Sequence, residues 1–173
     1  MKRKRVRVPR RGASPVMTAG TRLDAAGGCA DRWRMDAERL LLSMHAGATL
    51  FMTGVIWFVQ VVHYPLLARA GTDGFAEHAR EHARRTGWIV GPAMVAELIL
   101  SLALAARGGA AAWTGLGLLT VIWLSTALVQ VPLHRRLQAG FEAETHRQLV
   151  RTNRLRTAAW TARAAIALHL AAG

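Results

Sequence analysis

The 173-residue chain has a single cysteine, Cys29, so no disulfide framework can hold it together. Acidic residues are scarce, 10 Asp and Glu against 23 Lys and Arg, and only 19% of the chain is charged. No glycine-rich nucleotide loop, serine nucleophile elbow or CxxC redox pair occurs, and no internal repeat is visible. Gly108-Gly109 and Gly115-x-Gly117 are too isolated to cradle a phosphate. What remains is apolar: 52% of the residues are hydrophobic and the mean hydropathy is +0.19.

Charge is unevenly placed. Residues 1 to 34 hold ten of the basic residues against Asp24 and Asp31, while residues 35 to 173 carry thirteen arginines against eight acids. The second part contains four stretches long enough to cross a bilayer, which excludes a water-soluble globular domain. They are 40–62, 88–106, 110–133 and 157–173, the last being the weakest because it contains Arg163 and His169. The expected fold class is all-α, a four-helix transmembrane bundle. Two amphipathic interfacial helices, over 74–86 and 137–153, are expected on one face, the first carrying a Glu81–Arg85 pair at i, i+4. Arg107, Gly108 and Gly109 form a short hairpin between spans two and three.

The basic tail, residues 1–34, is too charged to pack and reads as disordered, ahead of a transmembrane domain over 35–173. Three readings stay open for it: an arm for anionic lipid or nucleic acid, the n-region of a signal segment, or sequence upstream of a true start at Met35. A dedicated nucleic-acid role is the least favoured. With a start at Met35, ten arginines lie on the face of the two long loops and only Arg39 and Arg107 on the other. The positive-inside rule then places the long loops in the cytoplasm; with residues 1–34 retained, the other face counts twelve Lys and Arg and the rule does not decide.

Polar residues inside the spans carry the chemical information, because a side chain that dislikes lipid must face the bundle interior. His45, Thr49, Met52, Ile56 and His63 form one helical stripe, with Gln60 joining it; Trp123, Thr126, Gln130 and His134 form another. Arg156, Trp160 and Arg163 share one side of the fourth span. Glu97 and Arg163 are the charges nearest mid-bilayer, at depths of about 13 and 9 Å at 1.5 Å per residue, and are expected to pair. Two roles are open for the pair: a structural ion pair, or a catalytic site in which Glu97 is base or ligand and Arg163 holds an oxyanion.

His63, His78, His82 and His134 fall on the long-loop face, His78 and His82 at i, i+4, a workable metal-ligand spacing. With Glu97 they form a candidate metal site for zinc, iron or copper. His45 and His169, near the other face, read first as histidines bonded to neighbouring carbonyls or water, and second as a candidate haem pair. Gly47, Gly54, Gly115 and Gly117 read as close helix contacts.

The segments VVHYPLL (61–67), TGWIVGPAMVAE (86–97), VPLH (131–134) and NRLRTAAWTAR (153–163) resemble a family of small, uncharacterised bacterial membrane proteins with four helices. The likeness spans roughly residues 40 to 170. A looser likeness is to anthrone-oxygenase-like membrane proteins, where a Pro ends the third helix and Asn and Arg precede the fourth; Arg154 departs from the aromatic residue expected after Asn153. These resemblances imply a bacterial plasma (inner) membrane location and, for the second, an oxygenase acting on a lipophilic aromatic substrate. Residues and resemblance together point to a membrane-embedded site for a lipophilic small molecule, with metal- or haem-dependent redox chemistry as one form. The rival is a non-enzymatic membrane subunit or small transporter in which Glu97 and Arg163 are structural. Neither substrate nor oligomeric state is legible.

Overall fold

The computed structural model describes residues 19–69 and 74–173, with side chains described from Asp31 onward. The basic segment 1–18 lies outside the described residues. The described residues are helical with no strand: α1 (Ala19–Phe58), a π-helical turn (Val59–His63), α2 (Tyr64–Leu67), α3 (Phe75–Ala105), α4 (Ala110–Ser125), a second π-helical turn (Thr126–Gln130), α5 (Val131–Leu137) and α6 (Ala143–Ala172). The chain divides into two units, 1–37 and 38–173. In the first, residues 19–37 are helical. The second unit carries every site considered below.

Among the described residues, three helical stretches are long and apolar enough to cross a membrane: Asp31–Leu67, Phe75–Ala105 and Ala110–Leu137. α6 is 30 residues long but carries Glu144 and five arginines, and does not join them. The burial pattern agrees with a lipid solvent. Glu97, Asn153, Thr49 and Arg163 are buried, while Leu128, Trp88, Ile99 and Leu40 face outward. In lipid the apolar surface carries no penalty and polar groups must pair internally.

The two expected interfacial helices are not separate elements. Residues 75–86 are the N-terminal part of α3, and residues 143–153 the N-terminal part of α6. Neither stretch holds a strong breaker; Gly87, just after the first, costs about 1 kcal/mol in a helix, too little to end one that runs from Arg84 and Arg85 on to Trp88 and Ile89. Glu81 does pair with Arg85 at 2.5 Å, and also with Arg84 at 2.7 Å. The extension moves Pro92 to mid-helix instead of the first turns of its span. Its missing N–H leaves the Trp88 carbonyl without an i+4 donor, which a membrane helix tolerates.

Each π turn precedes a proline, Pro65 or Pro132. A proline ring clashes with the carbonyl four residues back and offers it no donor. The wider turn absorbs the mismatch: Tyr64 N–H reaches back to the Val59 carbonyl, and Val131 N–H to that of Thr126. These turns rotate Gln60, His63, Gln130 and His134 relative to the regular helix before them.

α4 packs on α6 and α3, and α5 on α6 and α3. One apolar cluster joins Met52, Ile56, Met94, Leu119, Ile122 and Trp160; another joins Tyr64, Leu67, Phe75, Leu133, Leu137 and Leu149. The hairpin at Arg107 forms as expected, with φ of 90° at Gly108 and 97° at Gly109. A side chain at these φ values is strained, so Gly108→Ala or Gly109→Ala is expected to lower stability by about 1–2 kcal/mol. Gly54→Ala, in α1 with nothing within 4 Å of the new methyl, is the comparison and is expected to raise stability by up to about 1 kcal/mol in thermal unfolding.

Candidate functional site

Polar residues collect in two centres. The first surrounds Glu97, fully buried on α3. Arg163 of α6 donates Nη2 to Glu97 Oε2 and to Ser101 Oγ, the latter at 3.0 Å, and donates Nη1 to the Gly115 carbonyl of α4. Thr49 of α1 donates to Glu97 Oε1 at 2.5 Å, with the His45 carbonyl as a second acceptor at 2.8 Å. His45 Nε2 lies 3.4 Å from Arg163 Nη2, and the guanidinium sits 5.5 Å from the Trp160 ring centre. One ion pair thus ties α1, α3, α4 and α6 together. The pairing expected from matched depth is present. A void of about 10 Å³ lies beside it, bordered by His45, Ser101 and Gly115, room for one water at most, so no substrate fits there as it stands.

This arrangement bears on three of the expectations. Glu97 is bound into this centre and does not join the histidines of the long-loop face. His45 is buried beside Arg163 while His169 is exposed on α6. Of the four glycines read as helix contacts, only Gly115 is one, with Arg163 and Ile166 atoms 3.7 Å from where a methyl would stand; Gly47, Gly54 and Gly117 meet nothing within 4 Å.

The second centre is a cavity of about 410 Å³ between α1, α3, α4, α5 and α6. Its apolar wall is Met52, Ile56, Met94 and Trp123, and its polar end is Tyr64, His82, Gln130, His134, Arg135 and Arg156. Gly87 and Gly91, one helical turn apart on α3, also line it, and a methyl at either would meet nothing within 4 Å. Their missing side chains help to keep the space open. A groove of about 580 Å³ between α1 and α3, lined by Leu50, Phe51, Phe58 and Ile89, shares Val55, Val59, His82, Thr86 and Val90 with the cavity.

Three of the four histidines considered as metal ligands meet at this polar end. His63 and His82 stack with ring centres 3.7 Å apart and planes 16° from parallel; His134 lies 6.3 Å from His82. Stacked rings present faces to one another, whereas a shared metal needs their nitrogen lone pairs to converge. Among the described residues no group of three or more His, Cys, Asp or Glu is placed to hold a metal ion. His78, one turn before His82, is exposed.

A hydrogen-bonded chain holds the polar end together. Tyr64 Oη lies 3.4 Å from His134 Nε2, and His146 Nε2 is 3.0 Å from the Tyr64 carbonyl. Asn153, fully buried, donates to Gln60 Oε1 at 2.9 Å and accepts from Arg156 Nη1 at 3.0 Å. Gln130 donates to Thr152 at 2.8 Å. Arg156 Nε, Gln130 Oε1 and Trp123 Nε1 are buried with no partner, although each residue borders the cavity. Tyr64, Gly87, Gly91 and Asn153 were not readable as site residues. Their one sequence signal was membership of the segments VVHYPLL, TGWIVGPAMVAE and NRLRTAAWTAR.

Comparison with protein-family models, with curated proteins and with solved structures finds no match for the chain.

Proposed function

We propose that this is a polytopic membrane protein with α6 as the fourth span, whose cavity binds a lipophilic small molecule from the bilayer. The supporting observation is a cavity of about 410 Å³ whose wall is apolar and whose polar groups gather at one end. This is the usual make-up of a small-molecule site: apolar surface for affinity, a few polar atoms for orientation. The shared wall with the α1–α3 groove gives a lateral entry route from lipid. Tyr64, His82 and His134 are the groups able to exchange a proton with the bound molecule. In the same reading Glu97 and Arg163 are structural, since they sit in a closed centre with no room for a ligand.

The resemblance to small bacterial four-helix membrane proteins, with a plasma-membrane location and cytoplasmic long loops, is compatible with this reading. The site differs from the proposed metal or haem centre in its ligand geometry, and the two are separable on one preparation. Stoichiometric metal or a haem absorption band, lost in His63→Ala or His134→Ala, would restore the redox form.

The direct test fills the cavity without disturbing the core. Gly87→Leu and Gly91→Leu place side chains in open space and exchange glycine for a better helix former by about 0.8–1 kcal/mol. Both variants are expected to fold at least as stably as the parent. A lipophile found by mass spectrometry in organic extracts of the purified parent is expected to be absent from the filled variants. Equal recovery from parent and filled variants would remove the cavity as the binding site.

A further inference from the structure

The cavity is lined by positive charge without any negative charge. Its twenty lining residues include Arg135 and Arg156, two histidines, and no Asp or Glu. Arg156 is the unusual one. Its residue is 7% exposed, and among the described residues no carboxylate comes within salt-bridge distance of it. Its one side-chain acceptor is the neutral Asn153 Oδ1, and its Nε has no partner.

Arg163, seven residues along the same helix, shows the contrast. It is buried to a similar degree and is satisfied by Glu97, Ser101 and the Gly115 carbonyl. A buried guanidinium without an anion is costly and its planar fork is built to take two oxygens. Arg156 borders open space, so an occupant of that space can supply the anion.

Resting on the proposed lipophile site, we infer that its ligand is an amphiphile with a single anionic headgroup, a carboxylate, seated on Arg156. Its apolar body lies along Met52, Ile56, Met94 and Trp123. A carboxylate matches one guanidinium in both charge and planarity. Arg135, on the exposed side of α5, adds attraction at the mouth. Asn153 is the positioning residue that holds the fork toward the cavity.

The test uses the full chain in nanodiscs of zwitterionic phosphatidylcholine, with tritiated dodecanoic acid, dodecanol and dodecyl phosphate as probes. The Gly91→Leu variant sets the background from partitioning into lipid. Dodecanoic acid is expected to bind at least tenfold more tightly than dodecanol. Arg156→Gln is expected to erase that preference by weakening dodecanoic acid binding at least tenfold, and Arg156→Lys to retain part of it.

Equal affinity for acid and alcohol, or a preference that survives Arg156→Gln, overturns the anionic ligand but leaves the lipophile site standing. Tighter binding of dodecyl phosphate than of the acid overturns the carboxylate assignment. Binding of all three probes no greater than to the filled variant overturns this inference and the site reading together. If Arg156→Gln does not fold, the acid-to-alcohol ratio of the parent protein decides.

Discussion

Glu97→Gln is expected to destabilise the folded protein by about 3–5 kcal/mol, read as a large drop in thermal midpoint in detergent. Glutamine can still bond to Thr49 and Arg163, so the loss isolates charge from hydrogen bonding. The cost arises because Arg163 stays 1% exposed with no counter-charge after the change. Breaking a buried pair by removing one partner leaves an uncompensated ion in a poor solvent for ions. Replacing both partners, as in Glu97→Leu with Arg163→Met, removes the desolvation cost of both and is expected to recover most of the stability. Glu97 does not line the large cavity, so ligand bound per folded molecule is expected to be unchanged in Glu97→Gln. A fully stable Glu97→Gln protein that has lost binding would sink the structural role and return Glu97 to the functional site.

Asn153→Leu carries the second largest expected effect. The side chains have similar volume, so little space opens at a position that is 0% exposed. Two groups lose their partner at once: Gln60 Oε1 at the π turn before Pro65, and Arg156 Nη1 in the cavity. A buried polar group left unsatisfied costs about 1–3 kcal/mol, and more when charged, which gives about 3–5 kcal/mol in all. Unlike Glu97→Gln, this change is expected to weaken ligand binding as well, because Asn153 orients Arg156. Ligand titration of the folded fraction separates the two variants. Unchanged binding in folded Asn153→Leu protein would show that Arg156 does not depend on it.

Much of the site's scaffold was readable from sequence because lipid makes polarity inside a span expensive. That rule correctly turned the His45, Thr49, Met52 and Ile56 stripe inward, and matched depth joined Glu97 to Arg163. It could not say whether the pair opens onto a cavity. It also grouped Glu97 with His63 and His134, since depth along a helix says nothing about which neighbours surround a residue. Arg156 is legible on the helix face it shares with Trp160 and Arg163, but not as a group that borders a cavity. Its significance lies in an absent carboxylate, and an absence in space has no sequence signature.

By itself, the sequence determined that the chain is helical, that its spans are built for lipid, and that the His45, Thr49, Met52 and Ile56 stripe points inward. Those properties follow from composition and a 3.6-residue period, which act locally. The tertiary structure alone decided that α3 and α6 run unbroken through the expected interfacial segments, and that two π turns before prolines redirect the polar ends of their helices. It also decided that Glu97 is sealed while Arg156 faces open space. Those outcomes depend on how residues tens of positions apart pack, and a cavity is made by side chains that are too small, such as Gly87 and Gly91, as much as by those that line it.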